Sequence, residues 1–181
     1  MPIFSGASSM EGLTSSEVDL LISKQTGWSV HIDNVHTLAS PQTVAEGATA
    51  ILTNNSNLVI DSQKPLDATV PMWDSAASKF RPIKLNDYYT WIIRFKAKNT
   101  VANGGYFNLG IDIGGTFNTI FIASHLFIRG ANVEQTFNIK MEGYSGSTFM
   151  ANGGLPKLTS ISGTTTIYDK EFHIVRDHKG I

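Results

Sequence analysis

The chain has 181 residues, a length at which a single domain buries roughly 70% of its unfolded surface. It contains no cysteine, which excludes disulfides, thiolate zinc sites and cysteine nucleophiles. The net charge is −1 and only 16% of the residues are charged, so the composition does not indicate a nucleic-acid partner. No run approaches the ~20 apolar residues of a membrane span, so no membrane partner is predicted either.

The first 27 residues are predicted to form an N-terminal arm with one short helix. Residues 1–13 are mostly small and polar, as in arms that other elements must hold in place. Thr14–Gln25 begins with a capping-box pattern and continues with helical spacing of its apolar residues. We expect residues 1–27 to anchor the protein and residues 28–181 to form one further domain. The apolar candidates for this anchor are Ile3, Phe4, Val18, Leu21 and Ile22.

The rest of the chain is predicted to be β-structure. Tyr88–Lys98 shows the strongest alternation, because successive side chains of a strand point to opposite faces. A strand is also predicted at Thr148–Ala151. The spacing of turns, without alternating helices, predicts about ten strands in an antiparallel two-sheet sandwich. On the predicted inner face of the strongest strand lie Tyr89, Trp91, Ile93 and Phe95, and on its solvated face Arg94, Lys96 and Lys98.

The segment Leu109–Thr116, LGIDIGGT, allows two interpretations. It resembles the phosphate-binding hairpin of the sugar-kinase and actin-like ATPase superfamily. The favoured interpretation is a strand that ends in a glycine hairpin, because the pattern predicts no following helix whose N-terminus would bind phosphate. Asp112 is then a solvent-facing strand residue.

The titratable residues predict neither a metal site nor an active site. His31 and His36 are five residues apart, so on a strand they point to opposite faces. His125 lies in an apolar segment and is predicted to be a hydrogen-bonded core or interface residue. The carboxylates are scattered, and the chain has no Gly-x-Ser-x-Gly turn that would present a nucleophile. We therefore expect no enzyme activity, no cofactor and no metal.

Five segments together resemble the trimeric jelly-roll domains of bacteriophage virion proteins, in the broad tumour-necrosis-factor/C1q-like architecture. They are Thr26–Asn34 (TGWSVHIDN), Ile51–Asn57 (ILTNNSN), Pro71–Ile83 (PMWDSAASKFRPI), Asn86–Lys98 (NDYYTWIIRFKAK) and Phe149–Gly154 (FMANGG). This resemblance implies an all-β jelly roll, a homotrimer, and a role in structure or binding rather than catalysis. Such domains occur in capsid decoration proteins, in head fibres and at the tips of tail fibres.

The short N-terminal region favours a capsid decoration (cement) protein among these possibilities. About 27 residues suffice for an arm and one helix but not for the shaft that tail-fibre tips follow. We expect a homotrimer on the capsid exterior, with the N-terminal region bound to the major capsid protein shell. The segment Asn118–Ile128 is apolar on both faces, which suits one face in the core and one on a threefold axis. We expect Ile120 and Ile122 inside, and the predicted trimer contacts are Phe121, Ala123 and His125.

Two other binding functions remain open from the sequence. One is the receptor- or glycan-binding tip of a phage tail fibre, in which Tyr144 or Tyr168 would contact sugar from exposed loops. The other is a cellular carbohydrate-binding or cytokine-like sandwich.

Overall fold

The structure is a computed structural model that describes Thr14 and residues 26–115 and 118–178. The arm at residues 1–13 and, apart from Thr14, the predicted helix at Thr14–Gln25 lie outside the described residues. The proposed anchor residues Ile3, Phe4, Val18, Leu21 and Ile22 are among them.

The described residues form twelve strands and one short helix. The strands are β1 (Gly27–Ile32), β2 (Gln42–Val44), β3 (Thr49–Ile51), β4 (Leu58–Ile60), β5 (Trp73–Asp74), β6 (Lys79–Phe80), β7 (Tyr88–Asn99), β8 (Tyr106–Asp112), β9 (Thr119–Leu126), β10 (Gln135–Tyr144), β11 (Leu155–Ser162) and β12 (Thr165–His178). The helix α1 (Ser147–Asn152) lies between β10 and β11. None of the described helical segments is long and apolar enough to cross a bilayer.

Two antiparallel sheets make the sandwich. The larger sheet has the order β10-β7-β12-β1-β4, with β2 also paired to β12, and the smaller sheet has the order β3-β11-β8-β9. The strands β5 and β6 form a separate two-stranded ribbon. Between β2 and β3 the chain passes from the larger sheet to the smaller one, since β2 pairs with β12 and β3 with β11. The all-β jelly-roll sandwich predicted from the sequence is confirmed.

The central strand β7 supplies the middle of the core, as predicted. It pairs with β10 on one side and β12 on the other, and its inner side chains pack against residues of the smaller sheet in the hydrophobic core. Trp91 lies 5.4 Å from Phe149 and 6.0 Å from Phe80 between ring centroids, which places it where α1 and β6 meet the larger sheet. The four predicted inner residues are at most 1% exposed: Tyr89, Trp91, Ile93 and Phe95.

The predicted strand at Thr148–Ala151 is wrong, because these residues lie in α1. The segment buries one large side chain, Phe149, which is 1% exposed. Gly153 ends the helix at a φ of 72°, and its N–H donates to the carbonyl of Phe149 at 2.8 Å. A six-residue helix is too short to show helical periodicity, so the pattern could not distinguish it from a strand.

Candidate functional site: the exposed row of β9

Strand β9 lies at one end of the smaller sheet. Among the described strands it forms a ladder with β8 alone, so its other edge has no paired strand, although the side chain of Gln135 donates a hydrogen bond to the carbonyl of Leu126 at 3.3 Å. The register against β8 shifts between Leu109, which lies opposite Ala123, and Ile111, which lies opposite Ile120. Two residues of β9 therefore oppose one residue of β8 at this bulge.

Gly110 is the single residue of β8 at the bulge. A Cβ atom at this position would lie 2.5 Å from the Cγ2 atom of Thr119, so a larger residue would force the strands apart. Because the extra residue of a bulge shifts the alternation by one position, side chains on either side of it exchange faces.

This exchange of faces corrects the prediction for β9. Ile122 was expected inside, but its side chain is 60% exposed. Ala123, a predicted trimer contact, packs against the core together with Ile120. His125, another predicted contact, stacks on the core residue Phe107 at 5.5 Å between ring centroids.

The third predicted contact, Phe121, has a side chain outside the described part of the chain. Whether Phe121, Ala123 or His125 takes part in a trimer stays a prediction.

The outward side of β9 and its continuation carries three large aliphatic side chains, which we name the β9 row: Ile122, Leu126 and Ile128. Their side chains are 60%, 59% and 78% exposed. Ile122 and Leu126 are four strand residues apart, about 13 Å at the usual rise. Ser124 lies between them and donates a hydrogen bond to Asn108 at 2.7 Å. The row combines exposed apolar area with a strand edge, which are two features of a protein contact surface.

His125 is the titratable group on the inner side of β9. Within the described part of the chain, its Nε2 atom is buried and has no hydrogen-bond partner. Burial lowers the pKa of His125 below its ordinary value. The ring is therefore a neutral, half-buried group on the apolar side of the strand rather than the hydrogen-bonded residue that was predicted.

Two clusters of buried charges tie loops to β12. In the first, Lys170 and Asp33 are fully buried and 3.5 Å apart, and Asp33 also accepts a hydrogen bond at 2.8 Å from Nδ1 of His36. Burial lowers the pKa of Lys170 to about 8 against the opposing attraction of Asp33. Burial alone would raise the pKa of Asp33, but the hydrogen bond from His36, a backbone hydrogen bond from Asn55 and the charge of Lys170 lower it.

In the second cluster the buried Arg176 pairs with Asp87 at 3.3 Å and also with Asp67. Asp87 further accepts a hydrogen bond from the hydroxyl of Tyr89 at 3.0 Å. Buried charges that are paired in this way hold a fold in one arrangement, and here they connect β7, β12 and the intervening loops.

The glycine-rich segment after β8 ends in a turn that Asp112 holds. Asp112 accepts a hydrogen bond from the N–H of Gly114 at 2.7 Å and forms an ion pair with Lys157. The hydrogen bond from Lys157 lowers the pKa of Asp112, and its carboxylate is 13% exposed. It was expected to face solvent, but the side chain of Lys157 covers it.

The remaining predictions concern which side chains are exposed to solvent. Tyr144 is 62% exposed, whereas Tyr168 is 1% exposed and donates a hydrogen bond to Glu134 at 2.7 Å, so an exposed Tyr168 is wrong. The basic face of β7 is at least partly solvated, and Arg94 pairs with Glu171 at 3.2 Å.

Within residues 26–115 and 118–178, no three histidine, aspartate or glutamate side chains are grouped as metal ligands would be.

No protein-family model matches this chain, and no curated protein matches it. Among solved structures, it is similar to Eiger TNF from S. frugiperda, with a TM-score of 0.50 and 7% identity over 87% of this chain and 96% of that one. This likeness supports the jelly-roll fold.

Two further structures have lower TM-scores. PRD1 vertex protein P5 has a TM-score of 0.46 and 10% identity over 84% of this chain and 72% of that one. The C-terminal CBM6 of LamC, a marine laminarinase from Zobellia galactanivorans, has a TM-score of 0.38 and 12% identity over 84% of this chain and 99% of that one.

Proposed function

We propose that this chain is a non-enzymatic structural protein of a virion: a homotrimeric capsid decoration protein that binds the shell of the major capsid protein through its N-terminal region. The observation that carries the proposal is the β9 row, in which three large aliphatic side chains stand outside the core on the edge of a sheet. Exposed apolar patches of this kind mark sites of contact with another protein.

The row itself is the proposed site of trimer contact. Its members are Ile122, Leu126 and Ile128, whose side chains are exposed, whereas Ala123 and His125 pack toward the core. In a ring of three, the β9 row of one copy would meet a different surface of the next, and the ring would close by symmetry. The paired charges of the two buried clusters support a structural role, because their side chains contribute to the fold.

The shell contact is proposed at the N-terminal region. Its support is the sequence pattern, in which an arm with isolated apolar residues precedes a helix with one apolar face. The residues concerned are Ile3, Phe4, Val18, Leu21 and Ile22.

The trimer is tested by size-exclusion chromatography with light scattering on the full chain at micromolar concentration. The wild type should show three times the 19.7 kDa mass of one chain. Leu126→Asp should show the mass of one chain with an unchanged circular dichroism spectrum, because the carboxylate meets solvent in the monomer and an apolar surface in the trimer.

The matched control is Leu85→Asp, which changes a leucine of similar exposure (50%) in the loop between β6 and β7, away from any strand edge. This variant should remain a trimer. A wild-type monomer, or a Leu126→Asp trimer, would contradict the proposed contact.

The position on the virion is tested by electron microscopy of particles with gold-labelled antibody against this chain. Label spread over the shell supports decoration, and label at the tail end contradicts it. A chain that lacks residues 1–25 should keep the trimer mass and lose binding to shells from which the protein has been stripped.

A second candidate function is glycan or receptor binding at the tip of a tail fibre, and one observation favours it. Tyr144 is 62% exposed and its ring centroid lies 4.8 Å from that of Tyr88, whose hydroxyl donates to Glu142 at 3.1 Å. An exposed aromatic pair beside a carboxylate can stack on a sugar ring and accept hydrogen bonds from its hydroxyls. Binding to a glycan array that Tyr144→Ala abolishes would support this candidate over decoration.

A further inference from the structure

A cavity of about 190 Å³ lies at the open end of the sandwich beside β1 and β4, and the proposed trimer contact does not use it. Its wall includes inner residues of β1 and β4 on one side and the segment that leads into β5 on the other. The residues that matter here are Ser29, His31, Ser56, Val59, Met72 and Trp73.

The floor of this cavity is rigidly built. His31, Met72 and Trp73 are each 2% exposed. The indole N–H of Trp73 donates to the carbonyl of Asn54 at 3.0 Å, and the amide of Asn54 donates to the carbonyl of His31 at 2.9 Å. These two side-chain-to-backbone hydrogen bonds connect Trp73 to His31 through Asn54.

The volume of the cavity limits the size of the ligand that it can hold. An engineered apolar cavity of about 150 Å³ in another protein accepts benzene, so about 190 Å³ accommodates one six-membered ring with a small substituent. The mouth carries the ion pair of Lys64 with Asp61 at 3.0 Å, which adds no net charge.

His31 and two serines determine the polar character of the cavity. The Nε2 atom of His31 lies 3.0 Å from the Ser29 hydroxyl, and its Nδ1 atom lies 3.1 Å from the Ser56 hydroxyl. Burial lowers the pKa of His31 to about 4, against an opposing effect of Asp61, so the ring is neutral at pH 7.

A neutral imidazole donates from one nitrogen and accepts at the other. Whichever nitrogen carries the proton, one serine accepts from the ring and keeps its own O–H for a ligand. The cavity thus offers one hydroxyl donor in an otherwise mostly apolar site, whichever tautomer is present.

We propose that this cavity is a binding site for a neutral single-ring molecule with one hydrogen-bond acceptor oxygen, of the phenol class. The apolar wall, with Val59, Met72 and Trp73, contacts the ring. The Ser29–His31–Ser56 group donates to the oxygen, and the O–H of the phenol points to the mouth, where water or the Asp61 carboxylate accepts it. A sugar of similar size is excluded, because most of its hydroxyl groups would lose water without gaining a partner.

The test uses the full chain with three probes: p-cresol, toluene and glucose. Binding is measured by saturation-transfer NMR and by titration of tryptophan fluorescence. We expect p-cresol to bind about tenfold more tightly than toluene, and glucose to give no signal. No binding of p-cresol at millimolar concentration overturns the proposal.

Val59→Trp locates the site. Val59 is 41% exposed on the end strand β4, so a larger side chain there blocks the mouth without crowding the core. The variant should weaken p-cresol binding at least about tenfold. The matched control is Val133→Trp, a valine of similar exposure (44%) that does not line the cavity, and it should bind as the wild type does. Equal binding by wild type and Val59→Trp overturns the proposed site.

The double variant Ser29→Ala, Ser56→Ala tests the hydroxyl donor. It should bind p-cresol and toluene with equal affinity, because the wall is kept and the donor is lost. A retained preference for p-cresol in a variant with a native circular dichroism spectrum overturns the role of the serines. If the variant does not fold, the wild type itself supplies the test: equal affinity of the wild type for p-cresol and toluene overturns the role of the serines.

Discussion

The strands β7 and β9 both carry large apolar residues, but β9 leaves two of its large aliphatic side chains exposed to solvent. In β7 the inner face holds Trp91 and its apolar neighbours, each at most 1% exposed, while the outer face is charged. In β9 the aliphatic Ile122 and Leu126 are exposed, and the half-buried His125 takes an inner position. The core therefore accounts for the apolar residues of β7 and leaves the β9 row unexplained, which is why the row indicates a partner surface.

The difference arises from which strand carries the extra residue at each register shift. Strand β7 pairs without interruption along β10, and at its two register shifts against β12 the extra residues lie on β12, so the alternation of β7 is kept. The end strand β9 is held from one side, and there a bulge opposite Gly110 moves its alternation by one residue.

Truncation of the inner face of β7 should give the largest effect. Trp91→Ala should lower the free energy of unfolding by about 3–5 kcal/mol, because it removes a buried ring and leaves a cavity against Phe80 and Phe149. Urea unfolding followed by circular dichroism measures this change. The control Trp28→Ala, at a tryptophan that is 38% exposed on β1, should cost much less. Equal losses in the two variants would contradict the assignment of β7 to the centre of the core.

Replacement of His125 on the inner side of β9 should change the free energy of unfolding less than Trp91→Ala does, and in the opposite direction. His125→Phe should raise the free energy of unfolding by about 1 kcal/mol at pH 7, because it removes a buried nitrogen without a hydrogen-bond partner in the described part of the chain and keeps the ring on Phe107.

The effect of pH on the stability difference between His125→Phe and the wild type follows from the lowered pKa of His125. The folded-state pKa of His125 lies below its unfolded value of 6.5, so the unfolded wild type takes up a proton first as the pH falls. The wild type therefore loses stability below about pH 6.5, and the advantage of His125→Phe grows there. Chemical unfolding at pH 7.5 and pH 5 measures the two differences. A smaller advantage at pH 5 would place His125 on the wet side of β9.

The outer face of β7 should give the smallest effect. Arg94 and Glu171 are 3.2 Å apart, and their side chains are 55% and 29% exposed. A double-mutant cycle of Arg94→Ala with Glu171→Ala should give a coupling of at most about 0.5 kcal/mol, since solvent and salt screen such a pair. A coupling well above this value would indicate that the basic face of β7 is covered rather than solvated.

Much of the fold followed from the alternation of β7 and from the turn spacing, because strands that are covered on one face repeat every two residues. The same rule failed where a local feature interrupted the repeat. Tyr168 was expected in an exposed loop, but it lies in β12 just before the register shift at Asp169, which has a φ of 50°. The outward position of Ile122 depends on the bulge opposite Gly110, which the spacing of β9 alone does not reveal.

For the candidate site, the face assigned to Ile122 was wrong, and the predicted trimer contacts stay a prediction. Asn118–Ile128 was recognised as apolar on both sides, and the row of exposed aliphatic residues lies there. The cavity beside β1 was missed altogether. Ser29 lies two residues before His31 on β1, but Ser56 is 25 residues away from His31 and reaches it only through the pairing of β1 with β4.

The order of the residues was sufficient for the all-β class and the strong core strand β7, because each depends on local pattern. Which face of β9 meets water, which charges are buried as pairs with Lys170 and Arg176, and where a cavity opens were decided by tertiary structure. These features arise from register and from contacts between residues distant in the chain, and neither is encoded in the alternation of one segment.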